Sequence, residues 1–150
     1  MPPLPIVAPP APGAAVPPPP RAARPDVAEA DLVALLTAFY AAIADDARLA
    51  PYFASLDMAA HIPRIADFWS TMLWHTGRYT GSAFRPHLEM PGLDADHFAR
   101  WVRTLEATVD ARHAGPMAEQ VKALAHRIAY SMQLRLGVAP FAAYERADRR

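Results

Sequence analysis

The sequence contains no cysteine, six glycines and, among 15 basic residues, a single lysine, Lys122. Without cysteine there is no disulfide framework, no thiolate zinc site, no iron–sulfur cluster and no cysteine nucleophile. Neither sign of charge prevails. Fifteen basic against 15 acidic residues give a formal net charge of zero, which removes the polycationic footprint of a nucleic-acid-binding domain. After residue 25 no segment offers the roughly eighteen uncharged apolar residues that a membrane-spanning helix needs. The six histidines (His61, His75, His87, His97, His113 and His126) show neither HxxxH nor HExxH spacing, so a metallohydrolase site is not supported. A phosphate-binding glycine loop and a GxSxG nucleophile elbow are also missing. The paired acids Asp45-Asp46 and Asp94/Asp96 read as helix-end or surface charges.

What the sequence does hold in quantity is proline, 17 in all. Eleven lie between Pro2 and Pro25, which divides the chain into a Pro/Ala-rich leader, residues 1–25, and a body, residues 26–150. Proline clashes with the preceding helical turn and lacks an amide donor, so the leader is expected to sample solvated polyproline II as a disordered tether. It has no basic start and no unbroken apolar run, which argues against a secretory signal. Its Pro17–Arg21 stretch loosely resembles an SH3-type ligand, a match common in such tails. A body of this size buries roughly two-thirds of its unfolded surface around one core.

The body reads as helical. Asp26-x-x-Glu29 has capping-box spacing and is expected to start the first helix. Leu32, Leu36, Phe39, Tyr40 and Ile43 then follow at steps of three and four, one helical face. Pro51-Tyr52-Phe53 ends that run in a short turn. Asp57 can cap a second helix whose inner face is His61, Ile65, Phe68 and Met72, and Pro63 within its first turns predicts a late start or a kink. Gly77 and Gly81 open a loop over Thr76–Arg85, followed by a very short segment, Pro86–Met90. Asp94 can cap a third helix carrying Phe98, Trp101, Leu105 and Val109 inward. Gly115-Pro116 starts a fourth, with Val121, Leu124, Ile128, Met132 and Leu136 as its stripe and Gly137 as its stop. Period-two alternation is not sustained anywhere, so the fold class is all-α, four main helices in two pairs.

Three inner faces carry a large side chain with a polar end: Tyr40, His61 and Trp101. Each alone has a structural explanation, since tyrosine and tryptophan usually bury the ring and keep the polar atom near the rim. All three turned inward is less ordinary, because a buried donor without a partner costs roughly 1–3 kcal/mol. A polar ligand in the middle of the bundle would satisfy them together.

One ordered set of motifs adds a family. Asp67-Phe68-Trp69-Ser70, Thr76-Gly77-Arg78-Tyr79-Thr80-Gly81 and His87-Leu88-Glu89-Met90-Pro91 together resemble the signature of the group III truncated haemoglobins. The resemblance runs from Leu35 to about Leu136 and takes in Phe39-Tyr40, Leu49-Ala50-Pro51-Tyr52-Phe53 and His97-Phe98-x-x-Trp101. It implies a truncated globin two-over-two helical sandwich with haem b as cofactor. His87 matches the proximal histidine that ligates the iron. Tyr40, His61 and Trp101 match the distal positions around a bound gas, and Phe53, Ile65 and Phe68 match apolar haem-pocket positions. Arg64 matches a position that reaches a haem propionate, with Arg85 and Arg78 as further candidates.

The function so implied is reversible binding of O2, and of other diatomics such as NO and CO, at a five-coordinate iron with a polar distal pocket. Donors at Tyr40 and Trp101, each worth about 1.5–3 kcal/mol, favour slow release over rapid delivery. Gas scavenging or detoxification in the cytoplasm fits that better than transport. Two other functions stay open on the same residues. One is a haem enzyme with NO dioxygenase or peroxidase-like turnover, which would need an unidentified reductase. The other is a haem-free helical interaction module. Nucleic acid and membrane are not expected as partners.

Overall fold

The computed structural model describes residues 24–81, 86 and 90–138 of the chain. Among the described residues, five α-helices follow a 3-10 turn at Glu29–Asp31: α1 (Leu32–Ala44), α2 (Ala50–Phe53), α3 (Met58–Trp74), α4 (Ala95–Arg112) and α5 (Pro116–Leu136). No strand occurs among the described residues. The expected all-α class holds. α1 packs across both α3 and α4, and α4 packs along α5. The three residues between α4 and α5 leave room only for an antiparallel hairpin. The result is one helix pair laid over another.

The core is where helical periodicity placed it on α1. Leu32, Leu36, Phe39, Tyr40 and Ile43 are all buried, with Leu35 beside them. Each fully buried aliphatic or aromatic side chain here contributes roughly 1.5–3 kcal/mol. On α5 the interior face is Ala118, Val121, Leu124, Ala125, Ala129 and Met132. Three alanines on that face let α4 approach closely, placing Val102, Leu105 and Val109 against it.

Three local expectations need correction. Asp26 does not start α1. Its carboxylate instead accepts from the backbone amides of Met117 (2.9 Å) and Ala118 (2.8 Å), capping the first turn of α5. The helix that follows in sequence is entered through Asp31, whose side chain accepts from the Ala28 amide at 2.8 Å. The exposed amides of α5, preceded by proline and a glycine with no capping side chain, attract the nearest free carboxylate. Second, α3 neither starts late nor needs to: Asp57 accepts from the Ala59 amide at 3.1 Å and the helix runs through Pro63 to Trp74. Third, the buried face of α3 is Ile62, Ala66, Trp69 and Ser70, not His61, Ile65, Phe68 and Met72. Met72 is exposed. The first three of that predicted set line a cavity, so the face taken for core is a pocket wall.

The remaining ends follow the sequence closely. Asp94 caps α4, accepting from the Asp96 amide (3.0 Å) and the His97 amide (3.2 Å). Gly137 stops α5 in the left-handed conformation, φ +71°. At α5's other end Gly115 holds φ +141° with ψ near 180°. The chain enters at the same place: Ala114 donates its amide to the Pro25 carbonyl (3.2 Å) and Arg24 bonds the Asp110 carbonyl. The leader's residues 1–23 lie outside the described residues.

Candidate functional site: a cavity between α1, α3 and α4

A cavity of about 340 Å³ opens between α1, α2, α3 and the N-terminal half of α4, with α5 behind it. That volume falls in the range of small-molecule and cofactor sites, roughly 300–1,000 Å³. Its walls are mainly apolar: Phe39, Leu49, Phe53, Ile65, Phe68, Phe98 and Met132 among them. Tyr40, His61 and Trp101, expected to turn inward, all reach it.

These three come from three helices and are held by ring contacts. The Tyr40 hydroxyl lies 3.3 Å from His61 Nε2, and the two rings meet edge to face with centroids 5.3 Å apart. Phe53 tilts against Tyr40 at 5.6 Å. Phe39 stands perpendicular to Trp101 at 5.8 Å. Such edge contacts fix ring orientation and add about 0.5–1.5 kcal/mol each beyond burial.

Burial pushes the Tyr40 hydroxyl well up from its ordinary value, so it remains a neutral O–H donor. Burial, with the Arg64 guanidinium one turn away, pulls His61 down. At neutral pH the pair is therefore an uncharged phenol beside an uncharged imidazole. Arg64 is exposed at the cavity's edge.

Other candidates fall elsewhere. Arg78 turns from the cavity and pairs with Glu29 Oε1 at 2.6 Å. His87 and Arg85 lie outside the described residues; Pro86 and Met90, on either side of His87 in sequence, line the cavity. Among the described residues no group of histidine, aspartate or glutamate side chains could hold a metal ion by itself.

No family model matches the chain. It is 26% identical over 105 residues to the group 3 truncated hemoglobin ctb of Campylobacter jejuni, a match spanning 66% of this chain and 83% of that protein. Its fold superposes on the crystal structure of a group III truncated hemoglobin from Campylobacter jejuni with a TM-score of 0.67 and 25% identity, covering 73% of this chain and 91% of that one.

In sequence and in fold the chain is similar to group III truncated haemoglobins.

The cavity also carries residues that the reading of the sequence did not single out for the site. Tyr79 lines the cavity from the loop after α3, its ring perpendicular to Phe68 at 5.4 Å. That loop is pinned by the Tyr79 amide on Thr71 Oγ1 (3.0 Å), by Ser70 and Thr76 hydroxyls 2.9 Å apart, and by the Arg78–Glu29 pair. Tyr52 and His97 line the cavity together, their rings perpendicular at 5.4 Å. All three sit inside the quoted family motifs, which was the available signal. Nothing in helical periodicity separates a pocket aromatic from a core one.

Proposed function

We propose that the chain binds haem b in this cavity and holds a diatomic gas, O2 first, on the side carrying Tyr40, His61 and Trp101. The observation that carries the reading is the convergence of those three polar groups, from three helices, on a mainly apolar cavity. Haem, if bound, would supply an iron able to take a diatomic gas, with His87 as the protein ligand that the sequence motif offers.

The residues fit such a group. Phe53, Ile65 and Phe68 offer apolar surface to a flat hydrophobic ring, while Arg64 at the exposed edge suits a propionate. His87 as axial ligand and Arg85 as a second propionate partner are carried by the sequence motif. On the gas side the Tyr40 hydroxyl stays protonated and can donate, and the Trp101 indole is a donor only. His61, held neutral, offers Nε2 to Tyr40 and leaves that hydroxyl with a second place to go. A ligand that accepts from the Tyr40 hydroxyl in place of His61 gains a hydrogen bond.

The same donors would hold NO or CO. A reductase partner and a cytoplasmic setting complete the reading, with residues 26–150 as the globin domain and 1–25 as a tether. The Tyr40–His61 contact also favours a second reading, NO dioxygenase or peroxidase-like turnover, in which the pair polarises an O–O bond. Ferric, ferrous and CO-bound visible spectra of the purified chain test the proposal. A Soret band and a five-coordinate ferrous spectrum are expected, and both should fail in His87→Ala. No Soret absorption after haem reconstitution would favour a haem-free interaction module.

A further inference from the structure

The walls of the cavity differ in how they are held. Those from α1, α3, α4 and α5 belong to long helices that share the core. α2 is tied to the start of α4 by Arg48 on Asp94 (3.1 Å), and to the turn ahead of α4 by the Tyr52 hydroxyl on the Pro91 carbonyl (2.6 Å). The Tyr79 wall is a loop, and it stands on side-chain bonds centred on Glu29.

Glu29 Oε1 accepts from the Ser70 hydroxyl at 2.9 Å and pairs with Arg78 Nη1 at 2.6 Å. Ser70, on α3 and almost fully buried, also meets the Thr76 hydroxyl at 2.9 Å. Since Ser70 gives its one proton to the carboxylate, Thr76 is the donor in that second contact. Glu29 therefore joins a fixed post, Ser70 and Thr76, to Arg78 on the loop. One residue on, the Tyr79 amide donates to Thr71 Oγ1 (3.0 Å). The Tyr79 ring lies between Phe68, edge to face at 5.4 Å, and Gly81, where a Cβ would stand 3.5 Å from its hydroxyl oxygen. That hydroxyl has no hydrogen bond among the described residues, so no polar bond holds the ring itself. Gly77 (φ +69°) and Gly81 (φ +141°) bracket Arg78, Tyr79 and Thr80. Glycine passes between backbone regions closed to other residues, so the loop can turn at both ends.

We propose that residues 77–81 form a hinged lid on the cavity and that Glu29 is its clasp, a positioning residue that sets how often the lid opens to admit or release ligand. The identity of that ligand rests on the haem reading; the motion rests on the clasp. The Arg78 side chain is 58% exposed and that of Glu29 33%, so water competes for the ion pair and the clasp is weak enough to open. Elements held this way open locally while the core stays folded. Once the clasp lets go, the Thr71 bond and two ring contacts are what keep Tyr79 in the wall.

Amide exchange and haemin transfer on the full chain test this. The Tyr79 amide should be protected in the unsubstituted chain and exchange about five- to thirtyfold faster in Glu29→Ala. Asp67 lines the same hollow as Arg78 and can take over its guanidinium in that variant, so Arg78→Ala is measured beside it and should respond alike. The amide of Leu105, buried in the middle of α4, should not change in either. Haemin transfer from the loaded chain to a scavenging globin, followed at the Soret band, should speed several-fold in both variants. A Tyr79 amide that exchanges at the free-peptide rate in the unsubstituted chain, or equally slowly in all three proteins, overturns the clasp. Equal acceleration at Leu105 overturns it too, because it reports a global loss of stability. Faster Tyr79 exchange with unchanged haemin transfer overturns the lid, since ligand then passes elsewhere. If the unsubstituted chain takes up no haemin, the haem reading falls, while the exchange result still decides the clasp.

Discussion

Gly115→Ala isolates the junction that closes the fold, because two separable penalties meet there. A Cβ built at residue 115 would stand 2.5 Å from Asp26 Cγ and 2.7 Å from Oδ2, closer than non-bonded atoms approach. The Asp26 carboxylate must withdraw, giving up its bonds to the Met117 and Ala118 amides, a cap worth about 0.5–2 kcal/mol. Separately, φ +141° with ψ near 180° is a region open almost only to glycine, costing another side chain about 1–3 kcal/mol. Together Gly115→Ala should destabilise by about 2–4 kcal/mol, read as a lower urea midpoint at unchanged slope. Asp26→Ala alone loses the cap and should cost about 0.5–2 kcal/mol. In that background the glycine substitution meets no carboxylate, so the backbone penalty and a 2.9 Å approach to the residue 26 Cβ remain. The double variant should therefore be more stable than the sum of the singles predicts, by about the cap energy. Strict additivity, or a Gly115→Ala cost under about 0.5 kcal/mol, would refute this account of the junction.

Three further outcomes are expected. Tyr40→Phe removes a donor worth about 1.5–3 kcal/mol, so stopped-flow O2 release should speed by roughly tenfold to a hundredfold, and an unchanged off-rate would remove Tyr40 from the gas site. Stability should fall with acid in two stages, read by urea titrations across pH. His61 is held neutral in the fold, so below its ordinary value, about 6.5, the unfolded chain binds the proton preferentially. Asp26 and Asp46 come next: burial alone would raise both, but backbone amides, and for Asp46 also Arg100, outweigh it and hold them low. Their contribution is fully present above about 4 and is lost as pH falls through their lowered folded values, so Asp26→Asn should flatten that lower limb. Finally, His75 ends α3 with φ +56°, and His75→Gly should stabilise by about 1 kcal/mol in the same titrations, since a left-handed side chain costs about that much.

The helices were legible because their signals are local. The steps of Leu32, Leu36, Phe39, Tyr40 and Ile43, the Asp94 cap, and the Pro116 start and Gly137 stop are each decided within a turn or two of chain. Asp26 was not legible, because its partners at Met117 and Ala118 are about ninety residues away, and spacing to Glu29 is all a sequence can offer. The wrong face of α3 has a different cause. His61, Ile65 and Phe68 keep the same 3.6-residue period whether they pack on protein or border a cavity, so periodicity finds an inward face without saying what fills it. The cavity's polar trio was visible as an oddity of composition, three hydrogen-bonding groups on apolar stripes. Proposing a gas for it needed the motif.

The anchoring of Arg24 and Pro25 on the α4–α5 turn gives the molecule a polarity. α4 carries His97, Phe98 and Trp101 at its first turns, while Asp110 and His113, which hold Arg24 and Pro25, stand at its other end. At 1.5 Å per residue, the twelve positions from Trp101 to His113 separate the two by about 18 Å. Arg24 and Pro25 thus sit at the end of α4 away from the cavity. A tag or a surface attached through Arg24 would therefore hold the domain at the end of α4 opposite the residues that line the cavity.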